Sequence, residues 1–129
     1  MIEVAAGIVQ NAEGKILLCQ RTGELEGFWE FPGGKREPAE SFSECLGREL
    51  LEELSLEVEV SKEICRMVYE PKGTSLLFSF LLAFPKEKSP LRLSVHQDAR
   101  WVRKDEIPGY SLCPADANFV RAGWLERME

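Results

Sequence analysis

The chain has 129 residues, 44% apolar and 29% charged, with a net charge of −6. This is enough for one core and too little for two ordinary domains, so one domain over residues 1–129 is expected. The acidic balance, without basic clusters, argues against duplex nucleic acid as a partner, and without an apolar run of membrane-span length or a leader pattern a cytoplasmic protein is expected, with no membrane partner.

Residues Ile2 to Gln10 are apolar and β-prone, and Asn11 to Gly14 is a turn. Lys15 to Gln20 returns as a second strand, so the pair reads as a hairpin ending at Arg21. Thr22 to Gly27 is a polar loop. Phe28 to Phe31 is a short aromatic strand, stopped by Pro32-Gly33-Gly34. Two adjacent glycines there allow close backbone approach to a ligand or a metal.

Ser41 followed three residues later by Glu44 forms a capping box, which predicts a helix from Phe42. Beyond it, Leu56 to Val60 and Ile64 to Glu70 read as strands. Pro71-Lys72-Gly73 turns the chain into a strand from Ser75 to Ala83. Residues Pro85 to Pro90 form a polar connector, Leu91 to Val95 and Arg100 to Val102 are short strands, and Asp105 to Tyr110 is a turn. Pro114 suits a first helical position, and a helix from Ala115 to Met128 follows, weakened at Gly123. Strands around two helices suggest an α/β (α+β) sandwich with a mixed sheet.

The first helix carries the chemistry. Phe42, Cys45, Leu46, Leu50 and Leu54 share one side at helical spacing, while Leu51 points elsewhere. Glu49 and Glu53 fall in the same sector as these apolar residues, and Glu52 flanks them, against binary patterning. Like charges at that spacing repel, and half-buried carboxylates without a partner are costly. Arg48 lies on the flank away from the apolar side. A divalent cation is the simpler counter-charge, and hard oxygen ligands suit magnesium or manganese. The competing reading is a solvated acidic helix with Glu44, Arg48 and Glu52 as a ladder. The four cysteines Cys19, Cys45, Cys65 and Cys113 lack a Cys-x-x-Cys pair and read as reduced structural thiols, with a zinc site as a distant second reading. His96 is the only histidine, which leaves no His-based metal site and points to a structural role.

The stretch Gly34 to Leu56 resembles the signature of the Nudix hydrolases. Gly34, Glu40, Arg48, Glu49, Leu50, Glu52, Glu53 and Leu56 match it, and Ser55 stands where the family usually has Gly. Its six fixed identities, at about 5–7% usage each, coincide by chance roughly once in ten million or more windows. The departure at Ser55 touches only the helix end, where a left-handed backbone favours Gly or Asn. The resemblance implies an α/β/α sandwich and a magnesium-dependent hydrolase, with manganese as a possible substitute. It implies metal held by Glu49, Glu53 and Glu52 with a backbone carbonyl from Gly33 or Gly34. Glu52 or Glu53 would take the proton from water, Arg48 would orient a glutamate, and Glu40 would support the loop or helix entry.

Further segments resemble the MutT-type nucleoside triphosphate pyrophosphohydrolases: Leu18 to Arg21, Trp29 to Lys35, Arg100 to Val102, and Pro114 to Asp116. These imply a substrate site built from Arg21 (phosphates or base), Glu30, Phe31 (packing on the base, with core packing as an equal alternative), Pro32, Gly33 and Asp116. Asp116 aligns with a base-reading position, with Asn118 as an alternative reader; the competing role for Asp116 is to stabilise the first turn of the second helix. An ionised Asp116 would accept hydrogen bonds and favour guanine or cytosine. Such relatives act on oxidised dGTP or on cytidine and deoxycytidine triphosphates. Many relatives carry a carboxylate before the late-strand histidine; here Ser94-Val95-His96 stands there, and either the helix glutamates suffice or Asp98 substitutes. The expected reaction gives a monophosphate and pyrophosphate. The alternatives are hydrolysis of another nucleoside diphosphate derivative, or nucleotide binding without turnover. A monomer and a homodimer are both compatible.

Overall fold

The structure is a computed structural model that describes residues 1–86 and 90–128. Seven strands and three helices run in the order β1 (Ile2–Val9), β2 (Ile16–Arg21), β3 (Trp29–Glu30), β4 (Gly33–Lys35), α1 (Phe42–Leu54), β5 (Val58–Tyr69), β6 (Leu76–Pro85), β7 (His96–Val102), α2 (Pro114–Arg121) and α3 (Trp124–Arg127). Four strands form a mixed sheet in the order β4-β1-β6-β5, with β1 and β6 parallel; β3-β2-β7 form an antiparallel one.

Alternation along β1 sorts the core into two layers. Ala5 and Val9 pack with Cys45, Leu46, Leu50 and Leu54 of α1. Ala6 and Ile8 pack with Phe119 of α2 and Leu125 of α3. Helices thus cover strands from both sides, the α/β/α arrangement expected. Among the described residues no helix is long and apolar enough to cross a membrane.

Helix α1 starts where the capping box places it. Ser41 Oγ accepts from the Glu44 amide at 3.0 Å, and Glu44 Oε1 accepts from the Ser41 amide at 2.8 Å. It ends at Ser55, which sits in the left-handed region at φ 54°.

Several local expectations need correction. The β1–β2 hairpin does not form: the two strands enter different sheets and touch through a single bridge, Gln10 to Ile16. Pro32 ends β3, but the glycines after it are a strand, with Gly34 opposite Ala5 and Gly33 opposite Ala6. The two strands expected over 56–70 are one, β5, with irregularities between Val60 and Lys62 and between Glu63 and Cys65. Leu91 to Val95 is no strand. Arg92 and Ser94 instead donate their amides to the carbonyls of Leu54 and Glu53, at 3.0 and 3.1 Å, and so satisfy the open C-terminal end of α1. The last helix breaks at Gly123 (φ 82°) into α2 and α3. Of the polar connector over 85–90, residues 87–89 lie outside the described residues.

Candidate active site

A cleft of about 570 Å3 opens between the C-terminal part of α1, strand β4 and the start of α2. Its lining includes Arg21, Glu30, Phe31, Gly33, Gly34, Glu53 and Asp116. Seven of the residues singled out in the sequence therefore converge from five elements and the loop between β3 and β4.

At one end stand the carboxylates of α1. Arg48 grips Glu40 with two hydrogen bonds, Nε to Oε2 at 3.0 Å and Nη2 to Oε1 at 2.7 Å. Its Nη1 also donates to Glu49 Oε1 and Glu52 Oε1, both at 3.0 Å. The positive charge thus reaches further into the acidic group than the helical flank suggested. Bidentate contact with Arg48, helped by the Glu37 amide, lowers the Glu40 carboxyl to about 2. Glu40 is in this way the brace that holds Arg48.

Glu53 lies outside this grip. It is half-buried, and burial, the hydrogen bond it shares with Glu49, and the charges of Glu49, Glu30 and Glu52 push its carboxyl up to about 8. Gly34 completes this end. A Cβ built there would lie 2.3 Å from the Glu49 carboxyl carbon, so a side chain at 34 and the Glu49 carboxylate cannot coexist as placed. Gly33 is equally tied to its fold position, since a Cβ would lie 1.9 Å from the Ala5 carbonyl oxygen. Oxygen donors crowded together, with a proton standing in for a missing positive charge, fit a hard divalent cation. Glu49, Glu53 and the backbone of Gly33–Gly34 would be the groups to hold one. Glu52 is more exposed, at 58% for its side chain, and turned to Arg48.

At the other end, Glu30 is the centre of a polar group. Arg21 Nη1 donates to its Oε1 at 2.8 Å, and His96 Nε2 lies 2.8 Å from its Oε2. Asp116, on the first turn of α2, is 4% exposed, and its Oδ1 has no hydrogen-bond partner among the described residues. Burial first, then the charge of Glu30, raises its carboxyl well above the ordinary value, against the pull of the Phe31 amide. A raised carboxyl is more readily protonated, and a protonated Asp116 would donate as well as accept, where the ionised form expected from the sequence only accepts. Cys113 joins them because the Trp29 carbonyl accepts from its amide at 2.8 Å, while Ser111 accepts from the Trp29 amide. Ligand atoms of Glu30, Cys113 and Asp116 lie within 4.8 Å of one another.

The remaining residues separate. Phe31 lines the cleft but is 3% exposed and meets Phe80 and Phe119 edge-on, so core packing and cleft wall are one role. Pro32 is buried, and its carbonyl accepts from the Gly7 amide at 2.7 Å. Asp98 is engaged by Arg100 at 3.0 Å and Asn118 by Arg121; neither lines the cleft. His96 and Cys113 are the residues that sequence reasoning set aside as structural. Their signal was position: one opens β7, and the other precedes Pro114 at the start of α2.

The model of the NUDIX domain matches residues 1–123. The CTP pyrophosphohydrolase of Escherichia coli K12 is 38% identical over 124 residues, covering 95% of this chain and 90% of that protein. An 8-oxo-dGTP diphosphatase of Haemophilus influenzae is 33% identical over 126 residues, 93% of this chain and 89% of that protein. The solution structure of the Escherichia coli ORF135 protein superposes with a TM-score of 0.83 at 36% identity, over 98% of this chain and 91% of that one. With the fold, the glutamate helix and its arginine brace all in place over nearly the whole chain, the protein belongs to the NUDIX domain family.

Proposed function

We propose that the protein hydrolyses a nucleoside triphosphate to the monophosphate and pyrophosphate with the help of Mg2+, phosphates lying toward α1 and the base toward α2. The observation that carries this reading is Glu53: a cleft-facing, half-buried carboxylate paired with Glu49, outside the grip of Arg48 and facing the negative charges of Glu49, Glu30 and Glu52. A divalent cation held by Glu49, Glu53 and the backbone of Gly33–Gly34 would supply charge neutralisation for the phosphates and would activate water for attack.

The chain's own part follows from its geometry. Arg48, fixed by Glu40, holds Glu49 in orientation. Of the two candidates for taking the proton from water, Glu53 lines the cleft and Glu52 is exposed and engaged by Arg48, which favours Glu53. Arg21, held by Glu30, offers the cleft's guanidinium to the phosphates or the base. Asp116 reads the base. A carboxyl that donates and accepts side by side matches an edge with an acceptor next to a donor, such as cytosine N3 and its amino group. Guanine O6 and N1–H offer the same pair, so activity toward CTP or an oxidised dGTP fits this one pocket. Four free cysteines accord with a reducing, cytoplasmic setting, where such nucleotides are found.

The test is a nucleotide panel, ordinary and oxidised, incubated with purified protein and Mg2+, with pyrophosphate and monophosphate assayed separately. Release of pyrophosphate from a cytosine or oxidised guanine nucleotide is expected. No pyrophosphate from any member would end the proposal.

A further inference from the structure

The base end of the cleft contains more ligand chemistry than base reading requires. Glu30, Cys113 and Asp116 present two carboxylates and a thiol whose ligand atoms lie within 4.8 Å of one another. A second observation points into the same place: Asp116 is 4% exposed, yet its Oδ1 has no partner among the described residues. A buried polar atom left open is costly unless something fills it. From this geometry we infer a second metal site, formed by Glu30, Cys113 and Asp116, that takes a thiophilic divalent cation of the zinc class.

The donor set selects the ion. Thiolate with carboxylate suits Zn2+ or Co2+, whereas Mg2+ prefers oxygen alone. The charges close as well: three negative ligands meet two positive charges on the ion and one on Arg21, which Glu30 already holds. Arg21 and His96 grip the two oxygens of Glu30 and leave each a lone pair, fixing the carboxylate as outer partners of metal ligands do. On loading, a metal–sulfur bond replaces the S–H bond, a metal–oxygen bond replaces the O–H bond, and both protons leave to the buffer. A four-coordinate ion keeps one position for water or a group from the cleft. Because Asp116 serves both occupants, a cation bound here excludes the base, and the site acts as a thiophilic-metal block on nucleotide entry.

The full chain is titrated with Co2+ in millimolar Mg2+, following absorption and bound metal. One equivalent retained against Mg2+, with a sulfur-to-cobalt charge-transfer band, is expected. Cys113→Ser should abolish the band at an unchanged unfolding temperature, and Asp116→Asn should weaken binding about tenfold or more. A wild-type protein without the band, a band that survives Cys113→Ser, or full displacement of Co2+ by Mg2+ would each overturn the site. Should Cys113→Ser not fold, Asp116→Asn decides: unweakened binding there refutes the proposal. Binding is scored without turnover, so its failure and a failure of the proposed hydrolysis are separate results.

Discussion

Replacing Glu53 by Gln keeps the shape of the side chain and removes its charge. Glu53 ionises near 8 where an ordinary glutamate does so at 4.5, and at about 1.36 kcal/mol per pKa unit this would cost the ionised folded state about 5 kcal/mol under full burial. The group is half-buried, and solvent screening brings the cost to about 2 kcal/mol. The sign follows from a folded-state pKa raised above the unfolded one. Below pH 4.5 the carboxyl is neutral in both states and nothing is lost; stability falls as pH rises toward 8. In metal-free buffer above pH 8, Glu53→Gln should therefore unfold several degrees higher than the wild type, about 3–10 °C, with the gap closing on acidification. Adding Mg2+ should reverse the order, since only the wild type then gains binding energy. Hydrolysis should fall about a hundredfold or more. Thermal unfolding across pH, with chelator and with Mg2+, measures both signs. A variant that melts far below the wild type without metal would make Glu53 a structural residue and refute the reasoning.

Other expectations address separate parts of the molecule. Asp116→Ala should raise KM about tenfold for the preferred nucleotide and flatten selectivity across the panel, at about 1–3 kcal/mol per unpaired group; Asp116→Asn should be milder, and an equal loss of turnover for all nucleotides would remove the base-reading role. Ser55→Gly relieves a left-handed non-glycine residue at φ 54° and should stabilise the fold by about 1 kcal/mol in denaturant titrations, with kcat unchanged. Glu40 is held at about 2 by Arg48, a lowered pKa, so its contribution is complete above 4.5 and vanishes as pH falls toward 2. Acid unfolding of Glu40→Gln against wild type should show a gap that closes over that window, and a gap independent of pH would contradict it.

The parts of this protein written in local sequence were readable from it. A capping box and apolar residues at helical spacing defined α1, and glutamates on its buried side marked the candidate site. What failed depended on distant partners. A turn between two β-prone segments reads as a hairpin, but β1 finds better neighbours in β4 and β6, and β2 goes to β7. Charged Lys62 and Glu63 look like a strand end, yet β5 is an edge strand whose outer face tolerates charge. Leu91 to Val95 has the residues of a strand and lies against the C-terminal end of α1. Of the Glu30 group, the resemblance brought Arg21, Glu30 and Asp116 together, while His96 and Cys113 were missed, since the members come from β2, β3, β7 and the start of α2 and no spacing rule links them.

Strand β4 gives the two ends of the cleft different freedom. Gly33 and Gly34 are laced into the central sheet opposite Ala6 and Ala5, and Glu49 sits against Gly34. An exchange at these positions collides with backbone or with a carboxylate. The start of α2 lies outside both sheets and is tied to β3 by the backbone bonds of Trp29 to Ser111 and Cys113. Side chains at 113 and 116 can be exchanged without moving the phosphate end. On the proposed reading of the site, evolution can thus rewrite which base is chosen while the phosphate end stays fixed, so new substrates are within reach of one or two substitutions on a single short helix and the residue before it.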